Sequence, residues 1–167
     1  MLGGRLMKIR TDFVTNSSSS SFVLGFHDEK NIANELAGAI PSVYMQYLGT
    51  ILSDIKQSKT MTAEEALKGY TIEDGEIPWE FLYEVEHYAR NKLGLSYNAA
   101  YEYARSPEGI ARAKRLYEMW LAGTKEKMKN YKAFITLEYG DHGEPGCTLE
   151  HEVMPKMSNL VIYENNH

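Results

Sequence analysis

The spacing of apolar and polar positions changes along the chain and divides it into three parts. Phe22 to Phe26 is apolar in four of its five positions, which predicts a short buried strand. From about residue 28 to residue 130 the apolar positions recur at a spacing near four, which predicts amphipathic helices. From Ala133 to Tyr139 apolar and polar positions alternate, which predicts a half-buried strand. The order is therefore a strand, a long helical middle and a β-rich end over residues 133–163.

Capping and helix-breaking residues divide the helical middle into separate helices. Asp28 is the predicted N-cap of the first helix, and a second is predicted from about Ser42 to Gln57. Thr62 followed by Glu65 matches a capping box, in which each side chain satisfies an exposed backbone N–H of the other residue. Pro107 is predicted to open the longest helix.

Two more strands are predicted near the C-terminus, over Cys147 to Val153 and Asn159 to Tyr163. Together with Phe22 to Phe26 and Ala133 to Tyr139, they predict an antiparallel sheet of about four strands built from both chain ends. We expect the helical middle to pack on one face of this sheet, so the fold class is α+β. Residues 7–167 are expected to form a single domain.

A run of five serines lies between two apolar clusters, Phe13–Val14 and Phe22–Leu24. Because both clusters can enter a core, we expect the serines to be held in place rather than to form a flexible linker. Held side-chain oxygens and backbone N–H groups suit an anion such as phosphate, but a hydroxyl-capped entry to the first strand explains them somewhat better. The candidate anion-binding residues are Asn16, Ser17, Ser18, Ser19, Ser20 and Ser21.

The segment Met7 to Leu24 resembles the opening shared by a group of small bacterial and phage-borne proteins, M-K-I-R-x-D-F-V-T-N-S-S-S-S-S-F. The match covers roughly a tenth of the chain. No activity is known for the group, so the resemblance implies a bacterial or phage origin but no reaction. It also implies a start at Met7, and we therefore expect residues 1–6 to be a start artefact without a structural role.

The net charge, the cysteine count and the length of the apolar runs limit which partners and which cell compartment we expect. The formal net charge of −5 argues against nucleic acid as a partner, because neutralising phosphates needs a basic face. Cys147 is the only cysteine, so an intrachain disulfide is impossible and a reducing cytoplasm is the simplest setting. No apolar run reaches the length of about 18 residues that a membrane span needs. We expect a cytoplasmic protein that does not bind membranes.

Two groups of residues could carry chemistry. Glu150 and His151 are the candidate catalytic residues, since an imidazole titrates near neutral pH and a neighbouring carboxylate can fix its tautomer. On the predicted strand they would lie on opposite sheet faces. Glu80, Glu84 and His87 share one helical face and form half of a di-metal carboxylate pattern, although a solvated helix face explains them better. No spacing matches a metal signature, so metal and cofactor stay open.

Twelve tyrosines suggest a surface for a protein partner. Tyrosine combines apolar area with a polar tip and is common at interfaces. The candidate partner surface is Tyr97, Tyr101, Tyr103 and Arg105. Two hypotheses follow: a non-enzymatic interaction protein, which we favour, or a small hydrolase or transferase that uses the serine run with Glu150 and His151. Whether the protein is an enzyme, and its oligomeric state, stay open.

Overall fold

The structure, a computed structural model, describes residues 19–72, 75–140 and 143–165. Its contacts divide the chain into two compact units. In described residues, unit 1 comprises 19–69 together with 124–140 and 143–165. Unit 2 comprises the chain from Tyr70 to Gly123 except residues 73 and 74. The expectation of one domain over residues 7–167 stays a prediction, and residues 1–6 lie outside the described residues.

Strands stand at both ends of the described chain and helices between them, as the apolar spacing predicts. The strands are β1 (Ser19–Phe26), β2 (Ala133–Gly140) and β3 (Leu160–Asn165). The α-helices of the middle are α1 (Ile32–Ala39), α2 (Leu48–Lys56), α3 (Ala63–Leu67), α4 (Trp79–Lys92), α5 (Tyr97–Arg105) and α6 (Pro107–Met128). Short 3-10 helices cover Glu29–Asn31, Ser42–Tyr47 and Lys68–Tyr70.

The sheet contains three antiparallel strands in the order β2-β1-β3 within the described residues. The N-terminal strand is central: Phe22 lies opposite Leu137 of β2 and opposite Tyr163 of β3. The α+β class and a sheet built from both chain ends are confirmed. The predicted number of about four strands is wrong by one.

The missing strand is the segment predicted over Cys147 to Val153, which is helical. Residues 146–156 form one α-turn, a π-helix at Leu149–Val153 and a 3-10 helix at Met154–Lys156. Leu149, Val153 and Met157 are all buried, and their spacing of four is that of a helix. The same residues also fit the two-residue period of a strand, and the sequence was interpreted in that way. Seven residues are too few to separate the two periods, so packing decides the outcome.

Unit 1 has its core between the sheet and the helices. Ile135 and Leu137 of β2 are buried, whereas Thr136 and Glu138 are exposed, so the predicted alternation is confirmed over residues 135–139. It fails at Phe134, which is buried although it was predicted on the same side as Thr136 and Glu138. The core includes Leu36 of α1 together with Ile51 and Ile55 of α2. Helix α2 begins later than predicted, because the chain from Ser42 to Tyr47 is a 3-10 helix instead of an α-helix.

Three predicted helix starts are confirmed, two of them by side-chain caps. The Thr62 hydroxyl accepts from the Glu65 N–H, and a Glu65 carboxylate oxygen accepts from the Thr62 N–H at 2.9 Å, so the capping box is present. Asp28 accepts from the Lys30 N–H and caps the short helix that leads into α1. Pro107 is the first residue of the longest helix, α6.

Unit 2 has a small core in which aromatic rings pack among alanines. Phe81 meets Tyr117 edge-on, with ring centroids 5.5 Å apart, and both rings contact Trp120. The Tyr117 hydroxyl accepts a hydrogen bond from the Ile72 N–H at 3.2 Å. The alanines buried in this unit are Ala89, Ala100, Ala104 and Ala113. The small side chains of Ala89 on α4 and of Ala100 and Ala104 on α5 let these two helices pack closely together.

Candidate functional site

Ser20 and Glu150 form a buried pair in unit 1. The Ser20 hydroxyl donates to Glu150 Oε1 at 2.7 Å, and neither residue has any exposed surface. Ser20 is held by the central strand, and Glu150 by the π-helix that replaces the predicted strand. The structure therefore joins one residue of the serine run to one of the two candidate catalytic residues.

His151 lies at the surface beside this pair. Its Nε2 is 3.5 Å from Glu150 Oε2, and its side chain is 42% exposed. The prediction that Glu150 and His151 lie on opposite faces of a strand is wrong, because both belong to the π-helix Leu149–Val153. Helical geometry turns Glu150 inward and leaves its neighbour His151 in solvent.

The order of these three groups matters for their chemistry. In nucleophilic catalysis by serine, the imidazole stands between the hydroxyl and the carboxylate and takes the hydroxyl proton. Here the carboxylate of Glu150 stands between Ser20 and His151, and the Ser20 hydroxyl donates to it. A substrate cannot reach either buried partner without opening the core. The arrangement suits anchoring of the π-helix to the sheet better than attack on a substrate.

The rest of the serine run is divided by the limits of the described chain. Ser19, Ser20 and Ser21 belong to β1, where they lie opposite Gly140, Tyr139 and Glu138. Backbone groups used in a sheet ladder are not available to an anion. The carboxylate that contacts Ser20 also disfavours a second negative charge there. Asn16, Ser17 and Ser18 lie outside the described residues, so the anion site stays a prediction.

The half-motif on α4 does not assemble a metal site. Glu80 is buried and Glu84 is exposed. The side-chain amide of Asn91 lies 2.8 Å from His87 Nδ1. Within residues 19–72, 75–140 and 143–165, no cluster of three or more histidine, cysteine or acidic side chains is arranged to hold a metal ion. The burial of Glu80 departs from the solvated face that the sequence favoured.

Three of the four candidate partner-surface residues form one strip in unit 2. Tyr97, Tyr101 and Arg105 follow one another at a spacing of four on α5, and Tyr97 and Tyr101 are 65% and 46% exposed. The Arg105 guanidinium lies 3.4 Å from the Tyr101 ring centroid and donates to Glu86 of α4 at 2.7 Å. Arg90 of α4 lies over the Tyr97 ring at 5.7 Å. We call these five residues the tyrosine–arginine strip.

Tyr103 belongs to a different group. Its hydroxyl donates to Glu108 at 3.1 Å. Desolvation first, and then this hydrogen bond and the charge of Glu108, raise the pKa of Tyr103 above its ordinary value. Arg112 stacks on the ring of Tyr88 at 3.5 Å nearby. On a helix, a residue two positions further along points about 200° away from the first. Tyr103 therefore faces away from Tyr101.

Glu86 and Arg90, the two α4 members of the strip, were not predicted from the sequence. They are four residues apart, and a short connection between α4 and α5 folds the two helices side by side. An antiparallel pair of helices brings residues just before the turn beside residues just after it. That reasoning would have placed Arg90 near Tyr97.

Comparison with protein families, with characterised proteins and with solved structures finds no match for this chain. Across the described ranges, none of the helices has both the length and the apolar character that crossing a bilayer requires.

Proposed function

We propose that this chain is a non-enzymatic interaction protein of bacterial or phage origin, working in the cytoplasm, that binds a protein partner through the tyrosine–arginine strip. The observation that carries the proposal is the stacking of Arg105 on Tyr101, since Arg105 is held in turn by Glu86. Tyrosine and arginine, together with tryptophan, are enriched among the residues that dominate binding energy at protein interfaces.

Preorganisation strengthens this proposal. A surface arginine in solvent samples many rotamers, and fixing it at an interface costs about 0.5–1.5 kcal/mol. Here the ion pair at 2.7 Å and the ring contact already hold Arg105 in one position. Arg105 also donates to the Tyr101 carbonyl at 3.0 Å. Arg105 therefore has little side-chain freedom left to lose, and it lies beside the exposed ring of Tyr101.

The alternative is a small hydrolase or transferase with Glu150 and His151 in its site. The contact between Ser20 and Glu150 supports the enzyme hypothesis only because it brings together two residues that the sequence had singled out. The full burial of both side chains and the donation of the serine proton to a carboxylate weigh against it. We therefore keep it as the second candidate.

A crosslinking experiment tests the interaction proposal. A photoreactive phenylalanine analogue replaces Tyr97 or Tyr101 in separate samples, and Met119, which is 71% exposed on α6, is the matched control position. After irradiation in an extract of the source cells, we expect the same discrete protein adduct from positions 97 and 101 and none from 119. Arg105→Ala should lower the adduct yield by about fivefold or more, the effect of losing about 1 kcal/mol.

Two results would contradict the proposal. One is an identical adduct pattern from Met119, which would indicate nonspecific capture. The other is a thermal shift with nucleotides, phosphate or divalent metals that His151→Ala abolishes and Arg105→Ala leaves intact. That second result would favour the enzyme hypothesis.

A further inference from the structure

An open pocket of about 350 Å³ lies in unit 1 at the outer edge of β2. One wall is the C-terminal end of α2 and the residues after it, Asp54, Gln57 and Ser58. The other wall is the strand from Thr136 to Tyr139. None of the candidate site residues predicted from the sequence lines this pocket.

The strand wall presents backbone groups that can pair with another chain. Met61 and Phe134 exchange two backbone hydrogen bonds, of 2.8 and 2.9 Å, on the side of β2 that faces away from β1. Because this direction alternates along an antiparallel strand, the N–H and C=O groups of Thr136 and Glu138 face the same way. In the described part of the chain no backbone group pairs with them there. The existing pairing at Met61 thus stops where the pocket begins.

The pocket is acidic. Asp54 and Glu138 carry carboxylates, and none of its described lining residues is Lys, Arg or His. The Tyr139 hydroxyl donates to Asp54 Oδ2 at 2.7 Å, which holds this carboxylate at the pocket wall. The pocket therefore complements a positively charged side chain.

We propose that the outer edge of β2 binds an extended peptide, which adds a strand at Thr136 and Glu138 and places one lysine or arginine side chain in the pocket against Asp54 and Glu138. Strand addition to a sheet edge uses backbone hydrogen bonds for affinity and side-chain pockets for specificity. A small amine would meet the carboxylates but leave the strand edge to water, so a peptide uses both features. This surface is separate from the tyrosine–arginine strip.

The test uses the full chain and two acetylated, amidated seven-residue peptides of alternating threonine and valine. One carries a central lysine and the other a central glutamate. Binding is followed by ¹⁵N–¹H NMR titration. We expect the lysine peptide to shift the amide signals of Thr136, Glu138 and the end of α2, and to bind at least about fivefold more tightly than the glutamate peptide. A lysine peptide with N-methylated edge amides should lose binding.

Two protein variants separate the strand edge from the charge. Thr136→Pro removes an outward N–H and leaves the β1 ladder intact, so it should abolish binding, whereas Thr136→Val should bind as the wild type does. Glu138→Lys should remove the preference for the lysine peptide. If Thr136→Pro does not fold, Glu138→Lys and the N-methylated peptide still decide the question.

Four outcomes would overturn the proposal. They are equal affinity for both peptides, signal shifts confined to other surfaces, no binding of either peptide at millimolar concentration, and a concentration-dependent mass showing that a second copy of this chain occupies the edge. The last would assign the edge of β2 to self-association instead.

Discussion

Ser20 and Glu150 are 130 residues apart in the sequence and meet through a hydrogen bond of 2.7 Å inside the core. The contact ties the central strand to the π-helix that precedes β3. A buried carboxylate needs hydrogen-bond donors, because burial without them costs far more than the bond itself contributes. Serine at this position is therefore explained by structure before any chemistry is invoked.

We predict that Ser20→Ala destabilises the protein by about 1–3 kcal/mol, because it removes a donor from a buried charge-bearing group. Urea unfolding followed by circular dichroism measures the change. Ser21→Ala is the matched control, since Ser21 is the next residue of β1 and is only half-buried, and it should change stability by less than about 0.5 kcal/mol. Equal effects of the two substitutions would show that the hydrogen bond to Glu150 is not the cause.

We predict that Phe22→Ala destabilises by about 3–5 kcal/mol, the range for truncating a buried aromatic side chain. Phe22 has no exposed surface and stacks on Tyr163 of β3, with ring centroids 5.0 Å apart. Val43→Ala, at a position 72% exposed, is the control and should have little effect. Proteolysis that released residues 1–27 from a stable remainder would contradict the central place of β1.

The sequence predicted the sheet better than it predicted the site, because the sheet follows from local patterns whereas the site depends on contacts between residues far apart in the sequence. Apolar runs and alternation are local, and they identified β1, β2 and the last strand. The pairing of Ser20 with Glu150 depends on which face the segment after Pro145 turns to the sheet, and no spacing within seven residues decides between a strand and a helix there.

Three of the four residues predicted for the partner surface lie together in the structure. They were chosen for their chemistry, and the structure places Tyr97, Tyr101 and Arg105 on one face because they recur at a spacing of four on α5. That spacing excludes Tyr103, which was predicted as part of the same surface. Glu86 and Arg90 required knowledge of how α4 and α5 pack, which is tertiary information.

We predict that two glycines of α6 respond in opposite directions to alanine. A Cβ on Gly109 would overlap the Tyr103 carbonyl oxygen and the Ala104 backbone, so Gly109→Ala should destabilise by about 1–3 kcal/mol or more. Gly123 has open space around it, so Gly123→Ala should stabilise by about 0.5–1 kcal/mol through helix propensity. Both tryptophans, Trp79 and Trp120, belong to unit 2, so tryptophan fluorescence during urea unfolding measures these changes. Stabilisation by both substitutions would show that α5 and α6 do not approach closely at Gly109.

The pair of Tyr139 and Asp54 predicts a loss of stability in alkali. Burial first, and then the hydrogen bond to Asp54 and its charge, raise the pKa of Tyr139 well above its ordinary value of 10.0. Above pH 10 the unfolded chain therefore releases this proton while the folded chain keeps it. Each further rise in pH then stabilises the unfolded state relative to the folded state. The free energy of unfolding therefore falls by up to about 1.4 kcal/mol per pH unit because of this residue.

Tyr139→Phe isolates this effect from the other tyrosines and the lysines, which titrate in both proteins. We expect the wild type to be the more stable protein at pH 8, because it keeps the hydrogen bond of 2.7 Å to Asp54. From pH 9 to pH 11 the difference in free energy of unfolding between the wild type and Tyr139→Phe should shrink. The wild type is destabilised as the tyrosine ionises in its unfolded chain, whereas phenylalanine cannot ionise. Urea unfolding at half-unit intervals measures the difference between the two proteins. A difference that stays constant up to pH 11 would mean that the Tyr139 hydroxyl reaches solvent and titrates alike in the folded and unfolded chains.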